Sequence, residues 1–143
     1  MTVRLEPVYL ANVLLFVQNI QIIKMFPFIS KSCQQAMLIL KINPAAFSNS
    51  PRDIIKFFPN INTMVVDGLD QFREEPLPDT VESIVIKRLD FHYLPKWTPK
   101  FAGCVVEIWD CLLDAVREND LSLFTRLERL VLRNVEKIIP PNQ

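Results

Sequence analysis

Four stretches of the chain share one pattern of apolar and unrestricted positions. Each has an apolar residue, two unrestricted positions, a second apolar residue, one unrestricted position, a third apolar residue, two unrestricted positions and a last apolar residue. They begin at residues 61, 81, 101 and 127, which spaces them by 20, 20 and 26 residues. Recurrence at this length is typical of repeat architectures, because a short unit buries its apolar face only against neighbouring units. The pattern predicts four short strands in chain order.

One face of the predicted strands is expected to form the core. Side chains alternate between the two faces of a strand, so the second and third apolar positions of each stretch lie on the same face. The eight predicted core residues are Met64, Val66, Ile84, Ile86, Cys104, Val106, Leu130 and Leu132.

The opposite face carries a valine and a charged residue in every repeat. These are the predicted protein-binding residues of the repeat face: Val65, Asp67, Val85, Lys87, Val105, Glu107, Val131 and Arg133. Neighbouring strands lie about 4.8 Å apart, so parallel strands in register place Asp67 beside Lys87, where opposite charges stabilise the pairing. The same register places Glu107 between Lys87 and Arg133. The alternating signs therefore predict parallel, in-register strands.

Two interpretations of this face remain open. Valine suits any pleated sheet surface, and the alternating charges are also explained by the need to specify one register. Alternatively, these residues form a concave surface on which a repeat protein binds its partner.

The connections between the strands are short. An apolar residue precedes each strand, in three cases with a proline, and this predicts extended return segments. The longest connection, residues 112–124, has room for one or two helical turns.

The first part of the chain shows helical spacing instead of the repeat pattern. Ser50 is the expected N-cap of the last of these helices, and Ser32 with Gln35 gives a capping-box pattern for the third. We expect residues 45–49 to be a linker. The predicted helices cover residues 7–17, 20–26, 32–40 and 51–58.

These elements predict an α+β chain with a helical cap at residues 1–47 and a strand stack at residues 48–143. The terminal units of a repeat stack must cover its open apolar end, which gives the helices a structural role. No comparable helix follows the fourth strand. Either the parent protein continues beyond Gln143, which is the interpretation we favour, or another chain covers this edge, or the last strand frays.

Composition narrows the possible functions. The chain has 143 residues, half of them apolar, which favours one folded domain. Its 16 Lys and Arg balance 16 Asp and Glu, whereas nucleic-acid binders usually carry a basic excess. The apolar run at residues 9–17 is far shorter than the roughly 20 residues of a membrane span. We therefore expect neither a nucleic-acid partner nor a membrane partner.

The sequence shows no arrangement of residues for catalysis or metal binding. Cys33, Cys104 and Cys111 lack the spacing of metal ligands or disulfide pairs, and reduced thiols suit a cytoplasmic or nuclear protein. His92 is the single histidine, and no nucleophile motif, phosphate loop or zinc motif accompanies it. We predict that the protein is not an enzyme and uses no cofactor.

Residues 58–139 resemble leucine-rich repeats. The four stretches match the pattern L-x-x-L-x-L with a further apolar residue, in the short 20-residue range of that family. The resemblance implies a solenoid of about four repeats, with short parallel strands behind the helical cap and a face that binds proteins.

The helical cap resembles an F-box, the module that docks onto the Skp1 adaptor of cullin ubiquitin ligases. Residues 29–33 resemble the later part of the F-box pattern, V-C-K-x-W. The spacing of the earlier part, L-P-x-x-V-L-x-x-I-F-x-x-L, is matched by Leu5, Tyr9, Leu10, Val13, Leu14 and Val17. The residues that this resemblance implies as the Skp1 contact are Leu5, Pro7, Leu10, Val13, Leu14 and Val17.

Two functions follow as hypotheses. In the first, the protein is an interaction adaptor, with a Skp1-like partner on the helices and an unknown target protein on the repeat face. In the second, it is a repeat scaffold whose helices only cap the stack. A helix that is apolar nearly all round, as at residues 7–17, is either buried on all sides or shared with a partner.

Overall fold

The computed structural model describes residues 5–68, 77–89, 99–112 and 121–133. The described chain is α+β, with helices that precede an open sheet of four parallel strands in the order β1-β2-β3-β4. Parallel strands in chain order were predicted from the repeats, and this is confirmed. The elements are α1 (Pro7–Leu15), α2 (Ile20–Met25), a 3-10 turn (Phe26–Phe28), α3 (Lys31–Ile39), α4 (Pro51–Phe57), β1 (Thr63–Val66), β2 (Ser83–Ile86), α5 (Pro99–Ala102), β3 (Val105–Leu112) and β4 (Arg129–Arg133).

Helices α2, α3 and α4 each begin after a polar side chain that accepts a hydrogen bond from a backbone N–H of the first turn. Asn19 caps α2, because its Oδ1 accepts a hydrogen bond from the Gln21 backbone N–H at 2.9 Å. Ser50 caps α4 as predicted, and Pro51 occupies the first helical position, where the absent N–H costs nothing.

The predicted cap of α3 is wrong by two residues. Ser30, not Ser32, precedes the helix, and its hydroxyl accepts from the Cys33 N–H at 3.2 Å. The chain leaves the 3-10 turn only after Ile29, so Ser30 is the residue with the extended backbone that an N-cap requires.

The first two strands pair in the predicted register. Met64 lies beside Ile84 and Val66 beside Ile86, and all four side chains are fully buried. Equivalent positions of two repeats with equal length therefore form the first layer of the core.

The third strand departs from the predicted register. Val105 lies beside Ile84 and Ile108 beside Ile86, with a bulge between them. The buried residues of β3 are consequently Val105, Ile108 and Cys111. Cys104 is half-buried and packs against this core, as predicted. Val106 is half-buried and does not belong to it, so the assignment of Val106 to the core is a wrong prediction. An inserted residue moves every following side chain relative to the neighbouring strand, which explains the error.

The fourth strand follows the shift of the third. Leu130 lies beside Ile108 and Leu132 beside Cys111, with a second irregularity between these pairs. Leu130 is half-buried, while Leu132 is 43% exposed because β4 is the last strand of the described sheet. The predicted core residues are therefore least buried at this edge of the described sheet.

The connections enter the strands through turns rather than extended segments. The Val81 N–H donates to Pro78 O at 3.0 Å, and the Leu127 N–H donates to Phe124 O at 3.2 Å. Before β3 the chain forms the single helical turn α5. Proline at these positions initiates turns, where its fixed φ is favourable. The predicted helical turns after residue 112 lie partly outside the described residues, and Leu112 itself belongs to β3.

A single apolar core links the helices to the sheet. It contains residues of α1, α3 and α4, such as Leu14, Met37 and Ile54, together with the inward residues of β1, β2 and β3. This core includes residues on both sides of position 47, so the helices and the strands bury their apolar surface against each other.

Candidate functional site

The sheet extends beyond β1 through the segment that follows α3. Ile42 forms a parallel bridge with Thr63. The Lys41 carbonyl accepts hydrogen bonds from the N–H groups of Asn62 and Thr63, at 2.9 and 3.0 Å. Ile42 precedes Thr63 by 21 residues, close to the repeat spacing. This spacing is the signal by which the extra segment could have been found in the sequence.

Beside β1, the side-chain amide of Asn43 takes the place that the backbone of a neighbouring strand would occupy. Its Oδ1 accepts from Val65 N at 2.8 Å, and its Nδ2 donates to Val65 O at 2.9 Å. Nδ2 also donates to Phe47 O at 2.8 Å, and the residue is only 1% exposed. A buried amide with both ends satisfied fixes the neighbouring backbone. Residues 45–49 are therefore a packed part of the fold, and their prediction as a linker is wrong.

Ser48 completes the sealed edge of β1. Its carbonyl accepts from Asp67 N at 3.1 Å, and its hydroxyl donates to the Asp67 carboxylate. The N–H groups of Thr63, Val65 and Asp67, which point away from β2, all have partners in the segment after α3. We call residues 41–48 the edge segment.

Lys87 ties the second strand to the edge segment. Its ammonium lies 3.1 Å from Asp67 Oδ1, as the alternating charges predicted. It also donates to Ala45 O at 3.0 Å and to Ser48 Oγ at 3.3 Å. Three acceptors around one cation form a network that spans β1.

The other two predicted charge pairs are wrong. The shifted register places Glu107 beside Val85 and Arg129, and Glu107 Oε2 accepts from Trp109 Nε1 at 2.9 Å instead. Arg133 Nε lies 3.2 Å from Asp110 Oδ1. That oxygen is buried without a well-directed hydrogen bond among the described residues, so the contact is an ion pair of poor geometry.

Reversing the charge of Lys87 tests the network. We expect Lys87→Glu to lower the free energy of unfolding by about 1 to 2 kcal/mol, because Ala45 O loses a donor and Asp67 gains a like charge. The matched control is Arg88→Glu, an exposed neighbour, for which a change within about 0.5 kcal/mol is expected. Urea denaturation at low and high salt measures both variants. Equal effects of the two reversals would contradict the network.

Three of the four valines of the predicted repeat face are not accessible to solvent. Val65 and Val85 are buried, and Val105 belongs to the apolar core. Only Val131 on β4 is exposed, at 41%. A partner therefore cannot contact the first three valines without displacing other residues. The charged members remain partly open to solvent, and Asp67 and Lys87 already contact each other.

The six F-box-like residues divide into buried and exposed groups. Leu14 is fully buried against the core, and Pro7, Leu10 and Val17 are half-buried. Leu5 and Val13 are more than half exposed. The residues on the predicted contact stripe thus mainly hold α1 against α3, and neighbouring apolar residues face solvent.

The helices expose many apolar side chains. On α1 and the residues that flank it, we define the α1 surface as Leu5, Val8, Tyr9, Val13 and Phe16, of which Phe16 is 80% exposed. Further exposed apolar residues on α2, on the 3-10 turn and the residue after it, and on α3 are Ile22, Met25, Phe28, Ile29, Leu38 and Ile39. Single exposed apolar residues are ordinary, but a concentration of this kind marks an interaction surface.

The helical part also carries an excess of positive charge. Residues 5–58 contain five Lys and Arg but only two Asp and Glu, although the whole chain is balanced. The total charge of the chain does not reveal this separation.

No disulfide bond joins Cys33, Cys104 and Cys111 among the described residues. Burial, and secondly the charge of Asp110, raises the pKa of the Cys111 thiol. A raised pKa keeps the thiol protonated and poorly nucleophilic.

The described residues show neither a metal-binding cluster nor a membrane-spanning helix. They contain no cluster of His, Cys, Asp and Glu that would hold a metal ion, and none of their helices is long and apolar enough to cross a bilayer. His92 lies outside these ranges.

No protein-family model, no curated protein and no solved structure matches the chain.

Proposed function

We propose that this protein is an interaction adaptor whose N-terminal helices bind a Skp1-like partner, as F-box substrate receptors of cullin ubiquitin ligases do. The observation that carries the proposal is the α1 surface. Leu14 and Ala11 anchor α1 in the core, yet five large apolar side chains of the same segment remain exposed. A helix that only capped the sheet would be expected to expose polar residues on its outer side.

The strands would belong to a leucine-rich-repeat arrangement. Two features support this part of the proposal, namely the equal register of β1 and β2 at a spacing of 20 residues and the turn that precedes each strand. The target protein would contact the accessible residues of β3 and β4, including Glu107, Arg133 and the exposed Val131.

Binding to a purified Skp1 homologue tests the adaptor proposal. We expect Val13→Asp and Phe16→Asp each to weaken binding by about tenfold or more, because a charge replaces apolar contact area at the interface. Asn12→Asp, which adds the same charge at an exposed polar position of α1, is the matched control. Calorimetry measures affinity, and thermal melts verify that each variant remains folded.

Two results would contradict the adaptor proposal. One is a wild-type protein that does not bind the homologue at micromolar concentration. The other is equal weakening by Asn12→Asp, which would show that charge rather than the α1 surface matters. Leu14 is unsuitable for this test because its full burial makes substitution a test of folding.

A repeat scaffold with a purely structural cap is the second candidate. The edge segment favours it, because Asn43 and Ser48 show that this part of the chain seals the sheet. In that case substitutions on the α1 surface would leave every interaction unchanged, whereas loss of Leu14 would unfold the protein.

A further inference from the structure

An apolar groove lies between the helices at the side of the sheet's first edge. Its volume is about 430 Å³, within the range of pockets that bind ligands. Its apolar lining includes Phe28 of the 3-10 turn, Met37 and Leu38 of α3, and Phe57 of α4. None of the residues of the α1 surface lines the groove. It is therefore a separate site from the one proposed for the adaptor.

The lining of the groove is held in place by specific contacts. Asn60 Nδ2 donates to Leu38 O at 2.9 Å, which joins the end of α3 to the turn after α4. The ring of Phe57 packs against Phe47, with ring centroids 5.0 Å apart. A preformed groove loses less entropy when it binds a ligand than a flexible surface does.

The polar residues of the groove define the chemistry of its occupant. They are Gln34 on α3 and Lys56 on α4, and no acidic residue of the described ranges lines it. Lys56 has no ion-pair partner among the described residues. The surrounding residues 5–58 carry the excess of positive charge described above. An apolar site with an unpaired cation complements a ligand that combines large apolar side chains with carboxylates.

We propose that this groove binds an acidic peptide segment of a partner protein, with a Leu or Phe side chain inserted between Phe28, Leu38 and Phe57. A carboxylate next to the inserted residue pairs with Lys56, and Gln34 hydrogen-bonds the peptide backbone. The exposed ring of Phe28, at 85%, covers the inserted side chain and becomes buried in the complex.

Fluorescence anisotropy with a labelled peptide tests the proposal. The probe is acetyl-Asp-Glu-Leu-Phe-Asp-Leu-Glu-amide, and the reference peptide has Lys at every acidic position. We expect the acidic peptide to bind with micromolar affinity and the basic peptide to bind at least about tenfold more weakly. Affinity should fall as salt increases, since the charges are partly exposed.

Matched substitutions locate the peptide. Lys56→Gln should weaken binding by about tenfold, and Arg52→Gln, one turn earlier on α4 and outside the groove, by less than about twofold. Leu38→Ser should weaken binding severalfold, whereas Ile39→Ser, its similarly exposed neighbour on α3, should not. Phe28→Ala should act like Leu38→Ser. These variants change exposed residues, so the fold is retained.

Several outcomes would overturn the proposal. They are no binding of the acidic peptide up to about 1 mM, equal affinity for both peptides, or equal effects of the Lys56 and Arg52 variants. Binding to vesicles of phosphatidylserine without peptide binding would assign the basic apolar surface to a membrane instead. Val13→Asp separates this site from the α1 surface, because it should weaken the adaptor contact and leave peptide affinity unchanged.

Discussion

Asn43→Ala is expected to lower the free energy of unfolding by about 3 to 5 kcal/mol. The substitution removes both partners of Val65 and one donor to Phe47 O, all in a place from which water is excluded. Each buried backbone group without a partner costs about 1 to 3 kcal/mol. Urea denaturation followed by tryptophan fluorescence measures the change, with an unaltered slope if the folded state is otherwise the same.

The control for Asn43 is an exposed asparagine of the same region. Asn49→Ala should change stability by no more than about 0.5 kcal/mol, because Asn49 is exposed. Asn43→Asp keeps the acceptor for Val65 N but loses the donors and buries a charge, so it should be as destabilising as alanine at neutral pH. A loss below about 1 kcal/mol for Asn43→Ala would contradict its role.

Val105→Asp is expected to prevent folding, whereas Val106→Asp should leave a folded protein. Val105 is fully buried in the core, and a carboxylate there would cost more than about 4 kcal/mol. Val106 is half-buried at the bulge of β3, where a cost of about 1 to 2 kcal/mol is expected. Circular dichroism and thermal melts distinguish the two results.

This pair of valines discriminates between the two registers of the third strand. The repeat pattern alone assigns Val106 to the core and Val105 to the outer face, so it predicts the opposite order of stability. Val105→Thr and Val106→Thr repeat the comparison with almost no change of volume. A greater loss for the Val106 variants would reinstate the register of the pattern.

The strand order was predictable because two independent signals agree. The equal spacing of the first two repeats aligned Met64 with Ile84, and the charges of Asp67 and Lys87 matched across the same strands. Helix α1 was predictable from its apolar spacing, and α4 from the Ser50 cap and Pro51. These features depend on residues that are close in sequence or equivalent in the repeat.

The register of β3 was not predictable from the same information. Val105 and Val106 are consecutive apolar residues, so either one satisfies the template, and the choice depends on packing against Ile84 and on the bulge. The greater length of β3, from Val105 to Leu112, also follows from tertiary contacts. Local pattern alone does not distinguish such alternatives.

The roles of Asn43, of the α1 surface and of the groove were also not predictable from the sequence, because they depend on tertiary contacts. Asn43 precedes a proline, a pair that is typical of the end of a helix, while its partner Val65 is 22 residues away. On α1, the adjacent residues Val13 and Leu14 are equally apolar, yet one is exposed and the other buried. Which of them faces solvent is decided by the position of α3. The groove likewise depends on how closely α3 and α4 approach each other, and a local sequence pattern does not predict this distance.

The side-chain seal at β1 has a consequence for self-association. Amyloid growth and domain swapping begin when a foreign strand adds to unpaired backbone groups at the margin of a sheet. At β1 those groups are occupied by Lys41, Asn43 and Ser48 of the same molecule. Strand addition to β1 would first require the amide of Asn43 to be displaced. The seal therefore protects the margin of the described sheet next to the helices against the addition of a foreign strand.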